Sequence, residues 1–266
     1  MISKKLLLII FIFSLWLVPG LVQAQEDFAL EFDGIDDYVL LPQINAGEEF
    51  TLEAWFYPTS LAAPWFTLFK DDWKGSNLGS IYLNPIGEQV DLSWWWQEKS
   101  MLVLYNLNLD TWYYFALVAD GEEVTMHAIT DRQSWQVSTS TTPNFNNELK
   151  IGETDEGSFF RGQIDQVKIY QRALTPEEIQ EHFEQNYQNE SGLLAEWNFD
   201  EGNGEIVYDK TENEYNGVVL GGTAYVVHPE EKEYLVEVIA EENVVTNEGF
   251  VKSLIKKFLL WFRNLF

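Results

Sequence analysis

The sequence predicts an all-β protein, a two-sheet antiparallel sandwich with one short helix after the last core strand and a separate amphipathic helix over 250–266. Three observations carry that reading. Short runs of alternating apolar and polar residues recur from Phe28 to Ile151, with Gly, Asn, Asp or Pro between them. Only the stretch after Leu174 has a full set of helix start signals inside the body. Hydrophobic residues make up 46% of the 266 and aromatics 15%, with no cysteine, so burial, ladder hydrogen bonds or a metal must stabilise the fold in place of disulfides.

Residues 1–24 read as a secretion signal. Lys4 and Lys5 precede the apolar run Leu6 to Val18, and Val22-Gln23-Ala24 offers small residues for cleavage before Gln25. The body, 25–228, opens with strands at Phe28 to Phe32 and Tyr38 to Pro42 around the polar turn Asp33-Gly34-Ile35-Asp36-Asp37. Phe50 to Pro58 carries bulk on both faces, Phe50, Leu52, Ala54 and Phe56 against Thr51, Glu53, Trp55 and Tyr57, which predicts a strand between two layers. Further strands are expected at Thr67 to Lys70, Gly79 to Asn84, Glu88 to Gln97 and Met101 to Asn106. Trp112 to Ala119 and Val124 to Ile129 form a hairpin across Asp120-Gly121, and Ser134 to Ser138 and Glu148 to Ile151 follow.

The stretch Phe159 to Phe183 organises the rest. Ile164, Val167 and Ile169 alternate with a one-residue slip, so a bulge or a side-chain-bonded kink is expected at Asp165. A helix over Pro176 to Tyr187 follows: Thr175 as N-cap, Pro176 at the first helical position, Glu178 closing a capping box, Leu174 and Ile179 as staple. Ile179, Phe183 and Tyr187 mark its docking face.

The pattern G-x-I-D-x-V-x-I-Y-x-R-A-L-T-x-E-E-I over 162–179 resembles the last core strand and helix of the laminin-G-like, pentraxin-like jelly rolls of the concanavalin A-like lectin/glucanase superfamily. Ala29 to Val39, Phe50 to Phe56 and Trp112 to Val118 resemble that family's earlier strands in the same order. The resemblance implies a jelly roll and leaves function open, because the fold carries lectins, adhesion modules, enzymes and spacers. It also implies a structural calcium clamped between the first strand and the last core strand, with Asp33, Gly34 and Asp165 as candidate ligands. An Asp set among Ile164 and Val167 needs a partner in any case, whether metal, Arg161 or backbone amides. The segment Trp197-Asn198-Phe199-Asp200-Glu201-Gly202, with Asp209 and Asn213 to Gly217, resembles a motif that stands before the opening strands in many relatives. The chain beyond this segment is too short for a second sandwich, so 191–228 is expected to fold back, with Ala195 to Phe199 and Gly217 to Val227 as edge strands.

The net charge of −27 argues against nucleic acid, whose phosphates require a basic face. Laminarinase-type relatives place carboxylates as E-x-D-x-x-E on one strand. That triplet is missing, and the nearest run, Glu153-Thr154-Asp155, reaches Ser158 where the last Glu should stand. The three histidines, 127, 182 and 228, have no triad or zinc spacing. For a sugar, aromatic faces are the available chemistry. Trp94 and Trp96 share a face opposite Trp95 and are taken as ligand-binding candidates, with Trp73 and Asp155 on the loops Phe69 to Leu78 and Glu153 to Gly157.

Residues 229–249 read as an acidic spacer, and 250–266 as a basic amphipathic helix carrying Lys252, Lys256, Lys257 and Arg263. Such a helix suits a membrane interface; docking on its own body or on a second chain is the other reading. Together these features predict a secreted or cell-surface noncatalytic module that binds carbohydrate or a surface protein. A glycoside hydrolase-like enzyme and a membrane-associated assembly protein are the alternatives.

Overall fold

The computed structural model describes residues 27–60, 66–71, 79–96, 99–153, 157–187 and 189–227. The expected signal, spacer and terminal helix, at 1–24, 229–249 and 250–266, lie outside the described residues. No helix among the described residues is long and apolar enough to cross a membrane.

Among the described residues, sixteen strands form two antiparallel sheets. They are β1 (Phe28–Asp33), β2 (Tyr38–Gly47), β3 (Glu49–Pro58), β4 (Phe66–Asp71), β5 (Ser80–Ile86), β6 (Gln89–Trp96), β7 (Lys99–Asn108) and β8 (Tyr113–Asp120). Then come β9 (Glu123–Ile129), β10 (Ser134–Ser140), β11 (Phe145–Ile151), β12 (Arg161–Tyr170), β13 (Leu193–Trp197), β14 (Ile206–Val207), β15 (Gly217–Leu220) and β16 (Ala224–Val227). The first sheet runs β10-β9-β8-β3-β12-β1-β16, with β13 also on β12, and the second runs β14-β15-β2-β11-β4-β5-β6-β7. The core lies between them, where Leu30, Phe32, Phe50, Leu52 and Phe56 meet Val39, Leu41, Phe69, Ile81 and Trp94, all at most 1% exposed.

The slip in the β12 pattern is a bulge. Asp165 faces Trp55 and Lys168 faces Glu53, leaving one residue too many on β12. Gln166 absorbs it with φ 47, and its backbone N–H donates to Asp165 Oδ1 at 2.6 Å. Ile164, Val167 and Ile169 therefore all point into the core while Asp165, Lys168 and Tyr170 point out.

At the start of the same strand Gly162 stands with φ 147, and a Cβ there would lie 2.0 Å from the Tyr57 carbonyl oxygen. Neither strand can yield without breaking the β3–β12 ladder. Gly162→Ala is expected to cost about 2 kcal/mol, read as a lower urea midpoint at unchanged m-value.

The helix, α1 (Pro176–Phe183), has the expected cap. Thr175 Oγ1 accepts from the Glu178 N–H, and the Thr175 N–H donates to Glu178 Oε2 at 2.9 Å. It ends a turn earlier than the sequence predicts, because Gln185 turns left-handed at φ 53 and takes Tyr187 off the helix. Its apolar side covers the outward face of the first sheet: Ile179 and Leu174 pack with Tyr114, Ala116, Val118 and Tyr170, and Phe183 stacks on Trp55. That explains the two-faced bulk of β3.

Polar groups are buried under this cover in pairs. Glu53 Oε2 lies 2.8 Å from His182 Nδ1, with both side chains at most 3% exposed. Lys168 reaches Glu190 at 3.1 Å and Glu196 at 3.3 Å and sits over the Tyr187 ring. Burial alone would push its ammonium down, but Glu196, Tyr187 and Glu190 outweigh that and hold its pKa above the usual lysine range.

The tail folds back across both sheets. β13 lies on β12, β14 and β15 extend the second sheet from β2, and β16 pairs with β1. Its hub is Asp209, whose carboxylate accepts the backbone N–H groups of Glu196, Thr211 and Tyr215.

Candidate functional site

The first sheet's outward face is largely occupied by α1; the second sheet's outward face is buried over β4, where Lys70 is 4% exposed, and carries exposed rings towards β6 and β7. One register row crosses it from Ile206 through Val218, Leu40, Lys150, Lys70 and Ser80 to Trp95. The row is apolar at the β14 edge, cationic in the middle and aromatic towards β6. Alternation sets its orientation, since each member neighbours a core residue such as Val207, Val39, Leu149 or Trp94.

Trp95 is 41% exposed, with its ring centroid 6.2 Å from that of Tyr82 on β5. Beside them, Asn84 Nδ2 donates to Ser93 Oγ at 3.0 Å. Asp91 Oδ1 accepts from the Asn106 N–H at 3.0 Å, so the carboxylate positions β7. Asp71, at the end of β4, is likewise engaged, taking the Gly79 N–H and the Asn147 amide.

This placement corrects the choice among the consecutive tryptophans. Trp94 is fully buried and cannot meet a ligand, and Trp96 stacks on it at 6.0 Å on the core side. Trp94 shares its face with Val90 and Leu92, and the ring left outside is Trp95. Trp73 and Asp155 lie outside the described residues.

A second constellation surrounds the bulge. β1 ends its pairing with β12 at Leu30 opposite Ile164, and β13 begins its own at Trp197 opposite Val167. Asp165 therefore sits where the start of β1 and the end of β13 converge on one edge of β12. Asp200 Oδ1 accepts the Phe28 N–H at 3.1 Å, and Asp27 bonds the Asp200 carboxyl. Asp165 is 0% exposed and its Oδ2 has no hydrogen-bond partner. Burial, then the nearby Asp27, hold its carboxyl well above the ordinary range; the Gln166 N–H opposes them and Asp200 adds to them. Asp165 thus offers one bare buried oxygen to which a hard cation such as calcium would bind, but Asp27 and Asp200 do not close round it as a tight carboxylate cluster: among the described residues only Asp33, Asp36 and Asp37 bring their oxygens within 4.8 Å of one another.

The other expected ligands belong elsewhere. Asp33 faces Arg161, four residues along β12 from Asp165, and so cannot share an ion with it. Asp33, Asp36 and Asp37 do cluster within 4.8 Å, but as turn acceptors: Asp33 Oδ1 takes the Ile35 N–H and Asp37 Oδ2 the Asp33 N–H. Gly34 provides the left-handed residue of that turn at φ 77, packed against the Arg161 stem. Asp27 reaches Asp165 through the pairing of β1 with β12, and Asp200, though part of the segment from Trp197 to Gly202, only through the fold-back of the tail.

Histidine offers no further site among the described residues. His127 is buried on β9, and burial pushes its imidazole down to about 4, while His182 is held by Glu53.

Comparison with known proteins places this geometry. No curated protein matches the sequence. A candidate carbohydrate binding protein from Bacteroides ovatus superposes with TM-score 0.58 at 15% identity, over 77% of this chain and 60% of that one. This chain thus spans less than two thirds of that protein's length. The heptameric SAP-like pentraxin of Limulus polyphemus superposes with TM-score 0.52 at 13% identity, over 77% and 97%. These likenesses share the fold. The family model described as concanavalin A-like lectin/glucanases superfamily, of the laminin G type, matches residues 33–180, and the chain belongs to that family.

Proposed function

We propose that this protein is a noncatalytic carbohydrate-binding module acting outside the cell, with Trp95 as the surface on which a sugar ring stacks. One observation carries the reading: a tryptophan 41% exposed on the outward face of the second sheet, with Tyr82 beside it and the amide of Asn84 two residues further along β5. An exposed indole offers a large apolar face at little entropic cost, and neighbouring amides and hydroxyls select the orientation of the sugar. The Bacteroides ovatus relative supports the class of ligand. The carboxylate best placed for chemistry on this face, Asp91, is engaged by the Asn106 backbone amide, which supports binding without turnover. The bare Oδ2 of Asp165 would be the point at which a calcium ion steadies the bulge.

A glycan array with the full chain tests this. Wild type is expected to retain a defined set of glycans and Trp95→Ala to lose them all, at about tenfold or more weaker affinity and unchanged melting temperature. Retention by the variant, or release of reducing ends from a bound polysaccharide, would overturn the reading.

A further inference from the structure

The second sheet's outward face carries a second ring, and its position says what shape of glycan fits. Tyr105 on β7 is 60% exposed, and Asn106 beside it has φ 65. Both follow from a bulge: Val90 faces Leu107 and Leu92 faces Leu104, so Asp91 alone opposes Tyr105 and Asn106. The Asp91 carboxylate fixes that bulge through the Asn106 N–H at 3.0 Å. Leu104 and Leu107 stay in the core, and Tyr105 is turned out on the same face as Trp95.

Trp95 and Asp91 are four residues apart on β6, which separates the two rings by about 13 Å along the strand. That is too far for one sugar ring to touch both. Between them lies the row Tyr82, Ser93 and Val103, in which Ser93 is buried and both it and Tyr82 bond to Asn84, one row further on beside Asp91. Two exposed aromatic platforms in line along the strand, with the half-buried Tyr82 and Val103 continuing the strip between them, match a chain of linked rings that presents a face to each platform.

Resting on the sugar reading above, we infer that the ligand is a linear neutral oligosaccharide of about three or more linked units, lying along β6 from Trp95 to Tyr105, and that Tyr105 is its distal subsite. Neutral sugar suits a chain of net charge −27, which would repel a polyanion.

Calorimetry of the full chain against gluco-, xylo- and arabino-oligosaccharides of graded length separates the two ideas. Affinity is expected to rise by about tenfold between the single sugar and the tetramer and then level off, as a second aromatic contact is added. Tyr105→Ala should remove that gain and leave the single-sugar affinity unchanged, and Tyr105→Phe, which keeps the ring, should restore it. Equal affinity for single sugar and tetramer, or a Tyr105→Ala variant that still gains with length, would overturn the extended site while leaving the Trp95 reading intact. No binding by wild type to any member would overturn both.

Discussion

Trp197→Ala is expected to destabilise the protein by about 4 kcal/mol, the upper range for deleting a large buried aromatic. Trp197 is 0% exposed in the main core, faces Val167 in the β12–β13 ladder, and donates its indole N–H to the Tyr215 carbonyl at 2.9 Å. The cavity is one part of the loss. The other is closure, because the segment that Trp197 anchors supplies the end of each sheet, β16 on β1 and the β14–β15 pair on β2. If the tail detaches before the body unfolds, the variant should also show a lower m-value and a broadened urea transition. Asp209→Ala removes the tail's hub without touching the core, and should reproduce the broadening with a smaller loss, about 2 kcal/mol. A Trp197→Ala protein with a wild-type midpoint would mean that 193–227 is an appendage and that 27–187 is stable without it.

Much of the body was legible because local and tertiary signals agreed. The capping box before Glu178, the hairpin at Asp120-Gly121 and the slip after Ile164 each have a local cause that the structure retains. The helix end was not legible, since Gln185 is an ordinary residue and only its left-handed backbone stops α1. The tryptophan face was legible but misjudged. Val90 and Leu92 share parity with Trp94, and Asp91 and Ser93 share it with Trp95, so the alternation already assigned Trp95 to the outside. Tyr105 could not be placed that way, because the β7 bulge changes parity between Leu104 and Leu107. The buried carboxyl at the bulge was half legible. Asp165 announced itself as a carboxylate inside an apolar strand, whereas Asp27 becomes its neighbour through the pairing of β1 with β12 and Asp200 only through the fold-back of the tail.

Calcium is expected to raise the melting temperature by about 5–10 °C at a concentration a hundredfold above its dissociation constant, from a linkage gain of about 2.7 kcal/mol. Asp165→Asn is expected to abolish the gain. The reason lies in the bare Oδ2 of a carboxyl that is 0% exposed. Without a cation, ionised Asp165 is a buried charge with one backbone N–H for company, and that cost lowers stability at neutral pH. Its folded pKa is raised above the 3.8 of the unfolded side chain, so between the two values the native state holds a proton that the unfolded chain has lost. The contribution of Asp165 to metal-free stability is therefore fully present below 3.8 and lost as pH rises through the folded value, so acidification across that window should stabilise the metal-free protein at this site. Asparagine keeps the acceptor for the Gln166 N–H and removes the charge. Metal-free Asp165→Asn should then melt at or above wild type at neutral pH, with a flatter pH profile and no response to calcium or chelator. A wild type indifferent to calcium, or an Asp165→Asn protein that keeps the gain, would remove the metal from the bulge and leave Asp165 as a carboxyl that folds protonated.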